Sequence, residues 1–144
     1  MKKTDKPVVL SQRFNAPITK VWNAITVLEE MKQWYFENID AFAPELGTKS
    51  KFVVQSGERT FTHQWEITQV KAPHLIEYNW KYEEYAGEAF VSFALGDENG
   101  KTTLELSMEV CANFDDTIPE FKRESCEMGW QYFIQQRLAA YLKI

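Results

Sequence analysis

Hydrophobic and polar positions alternate along the middle of this chain with a period of two, then switch to a helical period at its end. Phe61, His63, Trp65 and Ile67 alternate with Thr62, Gln64, Glu66 and Thr68. After an Ala72-Pro73 turn, Ile76, Tyr78, Trp80 and Tyr82 alternate with Glu77, Asn79 and Lys81. Val91, Phe93 and Leu95 follow, and an Asp97-Glu98-Asn99-Gly100 hairpin leads into Leu104, Leu106, Met108 and Val110. Such runs predict an antiparallel sheet with one face in the core and the other in water. Ahead of them, Val8 to Phe14 predicts a first strand. Pro17 opens a helix carrying Val21, Trp22 and Ile25. Thr26-Val27-Leu28-Glu29 has the capping-box form and predicts a second short helix running to about Trp34-Tyr35-Phe36.

The closing stretch, Asp115 to Ile144, reads as one long helix, framed at its start by a second capping box with proline in the first turn, Thr117-Ile118-Pro119-Glu120. Successive residues ~100° apart gather Cys126, Gly129, Trp130, Phe133 and Tyr141 on one side. Glu124, Glu127, Gln131 and Gln135 fall on the other. At ~1.5 Å per residue such a helix crosses a whole sheet. Gly129 within it costs about 1 kcal/mol relative to alanine, which close approach to the sheet or room for a ligand would offset. Strand-period and helix-period blocks are segregated along the chain. The fold class is therefore α+β, a curved antiparallel sheet wrapped around a long C-terminal helix, rather than a βαβ repeat. Nothing marks an internal boundary or a repeat, so residues 1–144 read as a single domain. A curved sheet gripping a helix leaves a cavity between them, and that is where function is expected.

Composition narrows the function classes. At 144 residues the chain builds a core without disulfides or metals, and 44% apolar with 26% charged residues is ordinary for a globular protein. The aromatic fraction of 15%, with five Trp, six Tyr and ten Phe, is not ordinary. Flat side chains in this number build cores and also line pockets for rings and acyl chains. A net charge of −5 without a local basic block argues against nucleic acid. No apolar run approaches the ~20 residues of a membrane span, and the start, Met1-Lys2-Lys3-Thr4-Asp5-Lys6, leads into no secretory segment. Cys111 and Cys126 lack metal-ligand spacing and read as free thiols of a cytoplasmic protein.

Several segments carry a family resemblance: Phe14-Asn15-Ala16-Pro17 followed by Val21-Trp22-Asn23-Ala24-Ile25-Thr26, then Glu29 and Trp34-Tyr35, Glu66-Ile67 with Pro73, Leu75-Ile76-Glu77-Tyr78-Asn79-Trp80, Thr103-Leu104-Glu105-Leu106, and Gly129-Trp130. In order and spacing they resemble the family named after the activator of heat-shock-protein-90 ATPase. That family lies within the helix-grip superfamily of steroidogenic-acute-regulatory-related lipid-transfer domains, pollen allergens and polyketide cyclases. The resemblance covers nearly the whole chain and implies an element order of strand, two short helices, six strands and a long helix. Two features depart from the family pattern. The first strand begins by residue 8, where the eukaryotic co-chaperone carries a separate amino-terminal domain. Gly47-Thr48-Lys49-Ser50 stands where the family tends to have a glycine pair.

Candidate chemistry is sparse. The two histidines, His63 and His74, form no cluster with Cys, Asp or Glu at ligand spacing, and no glycine-rich phosphate loop follows a strand. No catalytic residue, metal site or cofactor is therefore assigned. His63 shares an inward strand face and reads first as a hydrogen-bonded core histidine. Trp65, Tyr78, Trp80 and Tyr82 lie on inward faces of two strands expected to pair, opposite Trp130 and Phe133 of the helix. Packing alone accounts for such a set. A pocket accounts also for the convergence of phenol and indole tips, which need partners when buried. Arg137 returns to the apolar arc of the helix, four residues from Phe133, and two roles are open to it. One is a stem snorkelling to water near the helix end; the other is a guanidinium gripping a carboxylate or phosphate at a pocket mouth. The expected ligand-binding set is His63, Trp65, Tyr78, Trp80, Tyr82, Trp130, Phe133 and Arg137. The expected function is binding of a small hydrophobic or amphipathic molecule between sheet and helix. Two alternatives stay open: a co-chaperone-like interaction module with a chaperone as partner, and a cyclase- or hydrolase-like enzyme using the same cavity.

Overall fold

The computed structural model of the protein describes residues 1–143. Its sheet has six strands, β1 (Val8–Phe14), β2 (Lys49–Ser56), β3 (Arg59–Lys71), β4 (Leu75–Tyr82), β5 (Glu88–Glu98) and β6 (Lys101–Ala112), in the spatial order β1-β6-β5-β4-β3-β2. Every neighbouring pair is antiparallel. Between β1 and β2 lie the short helices α1 (Ile18–Thr26) and α2 (Leu28–Trp34). Five strands follow them rather than the six of the expected order.

The period-two runs set the faces. Phe61, His63, Trp65, Ile67, Ile76, Tyr78 and Trp80 are buried, as are Val91, Phe93, Leu104 and Leu106, while Glu66, Lys81 and Glu105 face water. Register stacks the inward residues into rows: Trp65 opposes Trp80, Tyr78 opposes Val91, and Val91 opposes Met108. Register shifts at Ile67/Gln69 and Glu88/Ala89 bend the strands, so the sheet curves around its contents. Asn99 and Gly100 both have positive φ, 55° and 83°, which gives the two-residue β5–β6 loop the handedness that matches the strand twist.

The helices depart from the expected caps. Pro17 is the N-cap of α1 rather than a first-turn residue, and Thr26 Oγ1 donates backward to the Trp22 carbonyl at 2.6 Å, so no capping box forms there. Val27, in extended conformation, separates the two helices. The closing helix also begins later than Asp115. A 3₁₀ turn, Pro119–Phe121, precedes α-helix Arg123–Trp130, and Lys122 caps it without a side-chain bond. Gln131–Leu138 then continue as π-helix and Ala139–Leu142 as α-helix. The expected end at Ile144 lies outside the described residues.

The π segment decides which face packs. Trp130, Ile134, Leu138 and Leu142 are buried, each four residues after the last. In a continuous α-helix a four-residue step overshoots one turn by roughly 40°, and the stripe would drift off the sheet. The looser i→i+5 winding cancels that drift. It also carries Arg137 to the outside, where it is exposed and donates to the Gln33 carbonyl at 2.9 Å and to the Tyr132 hydroxyl at 3.2 Å.

Candidate functional site

The aromatic interior divides into two halves. Toward the β3–β4 turn it is filled: Tyr35 stacks on Trp34 at 4.6 Å and on Trp65 at 5.5 Å, and Tyr78 lies 4.9 Å from Trp65 and 6.0 Å from Phe93. The Tyr35 and Tyr78 hydroxyls satisfy each other at 3.0 Å. Burial raises both phenol pKa values well above the ordinary one, so the pair is neutral at any physiological pH.

The other half is not filled. A cavity of about 150 Å³ opens between the sheet and the C-terminal helix. His63, Trp80 and Tyr82 supply its sheet wall, Trp130 and Phe133 its helix wall, and Phe36 joins them from the residues after α2. Phe114, Phe121 and Met108 close the remaining sides, with Glu120 and Cys126 at the polar edge. Gly129 lines it as well, and a Cβ built there would meet no atom within 4 Å. Gly129 therefore faces open space, and close approach to the sheet does not account for it. At the opposite wall Gly87 serves packing. Its φ is +123°, and any Cβ would sit 2.2 Å from the Phe114 ring.

His63, Trp80, Tyr82, Trp130 and Phe133 of the expected set thus meet around one space. Trp65, Tyr78 and Arg137 do not line it. Trp65 and Tyr78 lie deeper in the filled half, and Trp65 also borders a polar groove with Asp40, Lys49 and Lys81. Phe36, Phe114, Phe121 and Glu120 sit in loops, turns and element ends, where periodicity carries no information about facing. Cys126 and Gly129 were on the predicted apolar arc of the helix without being assigned to the site.

The polar groups of the wall are few and specific. His63 Nδ1 lies 3.1 Å from the Phe61 carbonyl, which can only accept, so Nδ1 carries the proton and Nε2 presents a lone pair. Burial lowers the His63 pKa to about 4, partly opposed by that hydrogen bond and by the Glu84 carboxylate, so the ring is neutral. The Trp80 indole N–H is buried with no hydrogen-bond partner of good geometry. It is near enough to the Tyr82 hydroxyl to ease that group's pKa, which burial holds above the usual phenol value. The rings of His63 and Trp80 are 5.4 Å apart, and those of His63 and Tyr82 4.8 Å. Glu120 takes a hydrogen bond from Ser56 at 2.7 Å, which lowers its pKa, and faces Arg59 at 3.7 Å. Burial raises the Cys126 thiol to about 11 and leaves it protonated beside the Met108 sulfur, 3.3 Å away. Among the described residues no cluster of His, Cys, Asp and Glu could hold a metal ion.

A curved six-stranded antiparallel sheet closed over a C-terminal helix, with an apolar space between them, defines the helix-grip class. The chain belongs to the family described as Activator of Hsp90 ATPase homolog 1-like protein, whose model matches residues 15–143. No curated protein matches it. Among solved structures it is similar to a protein from Chromobacterium violaceum, with TM-score 0.80 and 17% identity over 96% of this chain and 97% of that one. It is also similar to a protein from Rhizobium loti, with TM-score 0.81 and 12% identity over 94% and 96%. A third is DynU16, from the dynemicin biosynthetic locus, with TM-score 0.77 and 23% identity. There the match covers 96% of this chain but 48% of the other, so this chain spans about half of DynU16. These likenesses establish the fold. Within the described residues no helix is long and apolar enough to cross a membrane.

Proposed function

We propose that the chain binds a small, single-ring hydrophobic or amphipathic molecule in the cavity between sheet and C-terminal helix. The carrying observation is the space itself, about 150 Å³ walled by Phe36, Trp80, Trp130 and Phe133, with a glycine where a side chain would otherwise intrude. An apolar cavity of this volume accepts a molecule the size of benzene. A sterol or a long acyl chain exceeds it. The polar rim argues for binding over acid–base catalysis. With its pKa near 4 and only a backbone carbonyl behind it, His63 is a weak base that accepts a hydrogen bond rather than a proton.

Tryptophan fluorescence and thermal shift test this, because Trp80 and Trp130 line the cavity and a ligand binding only the folded state raises Tm. Toluene and para-cresol should quench saturably and stabilise, whereas palmitate and cholesterol should do neither. Saturable binding of the long or fused-ring lipids with no response to single rings would replace this reading by one in which the helix opens widely.

A further inference from the structure

Resting on that reading, we infer that Met1 is a movable wall of the cavity: its side chain limits the space to a single ring, and the strap that carries it opens to let ligands pass. His63, Trp80 and Tyr82 stand on paired strands, and Trp130 and Phe133 on the closing helix. Met1 lines the same space but comes from residues 1–7, which form neither helix nor strand. Met1 is 8% exposed and Val8 5%, whereas Lys2 through Pro7 between them are all exposed. The strap thus reaches into the core through one side chain.

Its ties are few and mostly wet. The Phe114 N–H donates to the Met1 carbonyl at 2.9 Å, and the Met1 amino group donates to the Phe121 carbonyl at 2.9 Å. That amino group is a buried ammonium, and opening the strap returns it to water. Farther along, the Lys3 N–H donates to Asn113 Oδ1 at 2.8 Å. The Arg123 guanidinium donates to the Lys6 carbonyl at 2.6 Å and to the Pro7 carbonyl at 3.2 Å. These last bonds are exposed, and water replaces each at little cost. A segment with one buried side chain and exposed bonds opens before the structure it covers. Methionine suits such a wall, because its unbranched, flexible chain fills an irregular gap and yields to what enters. Arg123 does not line the cavity, so the strap can be untied there without altering the walls.

Two measurements at pH 7 test the strap apart from the cavity. In isothermal titration para-cresol should bind both the wild type and Met1→Ala, made by cleavage from a fusion so that alanine stands at position 1. The two-ring 2-naphthol should bind Met1→Ala roughly tenfold or more tightly than the wild type, since the freed space buries a second ring. In stopped-flow fluorescence Arg123→Ala should raise the association and dissociation rates of para-cresol together, several-fold. Glu127→Ala breaks the same 3.3 Å ion pair with Arg123 but leaves the strap tied, and should keep the wild-type rates. Para-cresol binding also reports that each variant is folded. Equal affinity of wild type and Met1→Ala for 2-naphthol, or rates that Arg123→Ala does not change, would overturn the strap and leave the cavity standing. No binding of para-cresol by the wild type or any variant would overturn both.

Discussion

His63 is the residue through which stability and site chemistry are linked. It stacks on Phe52 at 4.7 Å and 15° within a wall of rings, and burial holds its pKa near 4, below the ordinary 6.5. Because the folded pKa is the lower one, the unfolded chain takes up the proton first as the solution is acidified. Stability from the neutral ring is complete above pH 6.5 and is lost as pH falls from 6.5 through 4. Over that window the loss should reach about 3 kcal/mol, from a shift of 6.5 to about 4. Urea denaturation at pH 7.0, 5.5 and 4.0 measures it, and His63→Phe should flatten that part of the profile. A wild-type midpoint that does not move between pH 7.0 and 4.5 would mean that His63 is hydrated in solution. Carboxylates such as Glu120, lowered by its Ser56 hydrogen bond, act at lower pH, below the ordinary 4.5.

At the scale of elements the C-terminal helix carries most of what is distinctive. Gly129 is a helix-interior glycine with open space at its Cβ position. Gly129→Ala should therefore stabilise the protein by about 1 kcal/mol, the ordinary helix preference with no clash to oppose it. Gly129→Leu should fold as well but lose toluene binding, since its side chain would occupy the space. A destabilised alanine variant in chemical denaturation would mean that the helix lies closer to the sheet. The strands were legible in the sequence because alternation with period two states which face is wet, and it placed His63, Trp80 and Tyr82 inward correctly. Alternation does not say how far along a strand the core is filled, so Trp65 and Tyr78 could not be told apart from Trp80. The helix face was legible as far as Phe133, which lines the cavity as expected. Beyond it the π winding breaks the 100° rule, which is why Ile134 and Leu138 pack while Arg137 stands outside. Phe114 and Phe121 come from the segment after β6, where no period exists to read.

For the whole molecule, sheet curvature and helix geometry together leave a space that side chains do not fill. Two register shifts bend the sheet, the 3₁₀ turn Pro119–Phe121 sets Phe121 against Tyr82 at 5.1 Å, and the helix crosses with Trp130 pointing down at Trp80, 5.6 Å away. These elements fix the fold, and under the proposed function the few groups facing the space would choose the ligand. The most direct test is a crystal structure of the protein grown with 4-iodophenol, whose iodine is located by anomalous scattering. One dominant iodine peak is expected inside the cavity, in contact with Trp130 and Phe133, and it should be lost in Gly129→Leu. Iodine found only on the outer surface, with the space between Trp80 and Trp130 closed by side chains, would contradict the cavity reading.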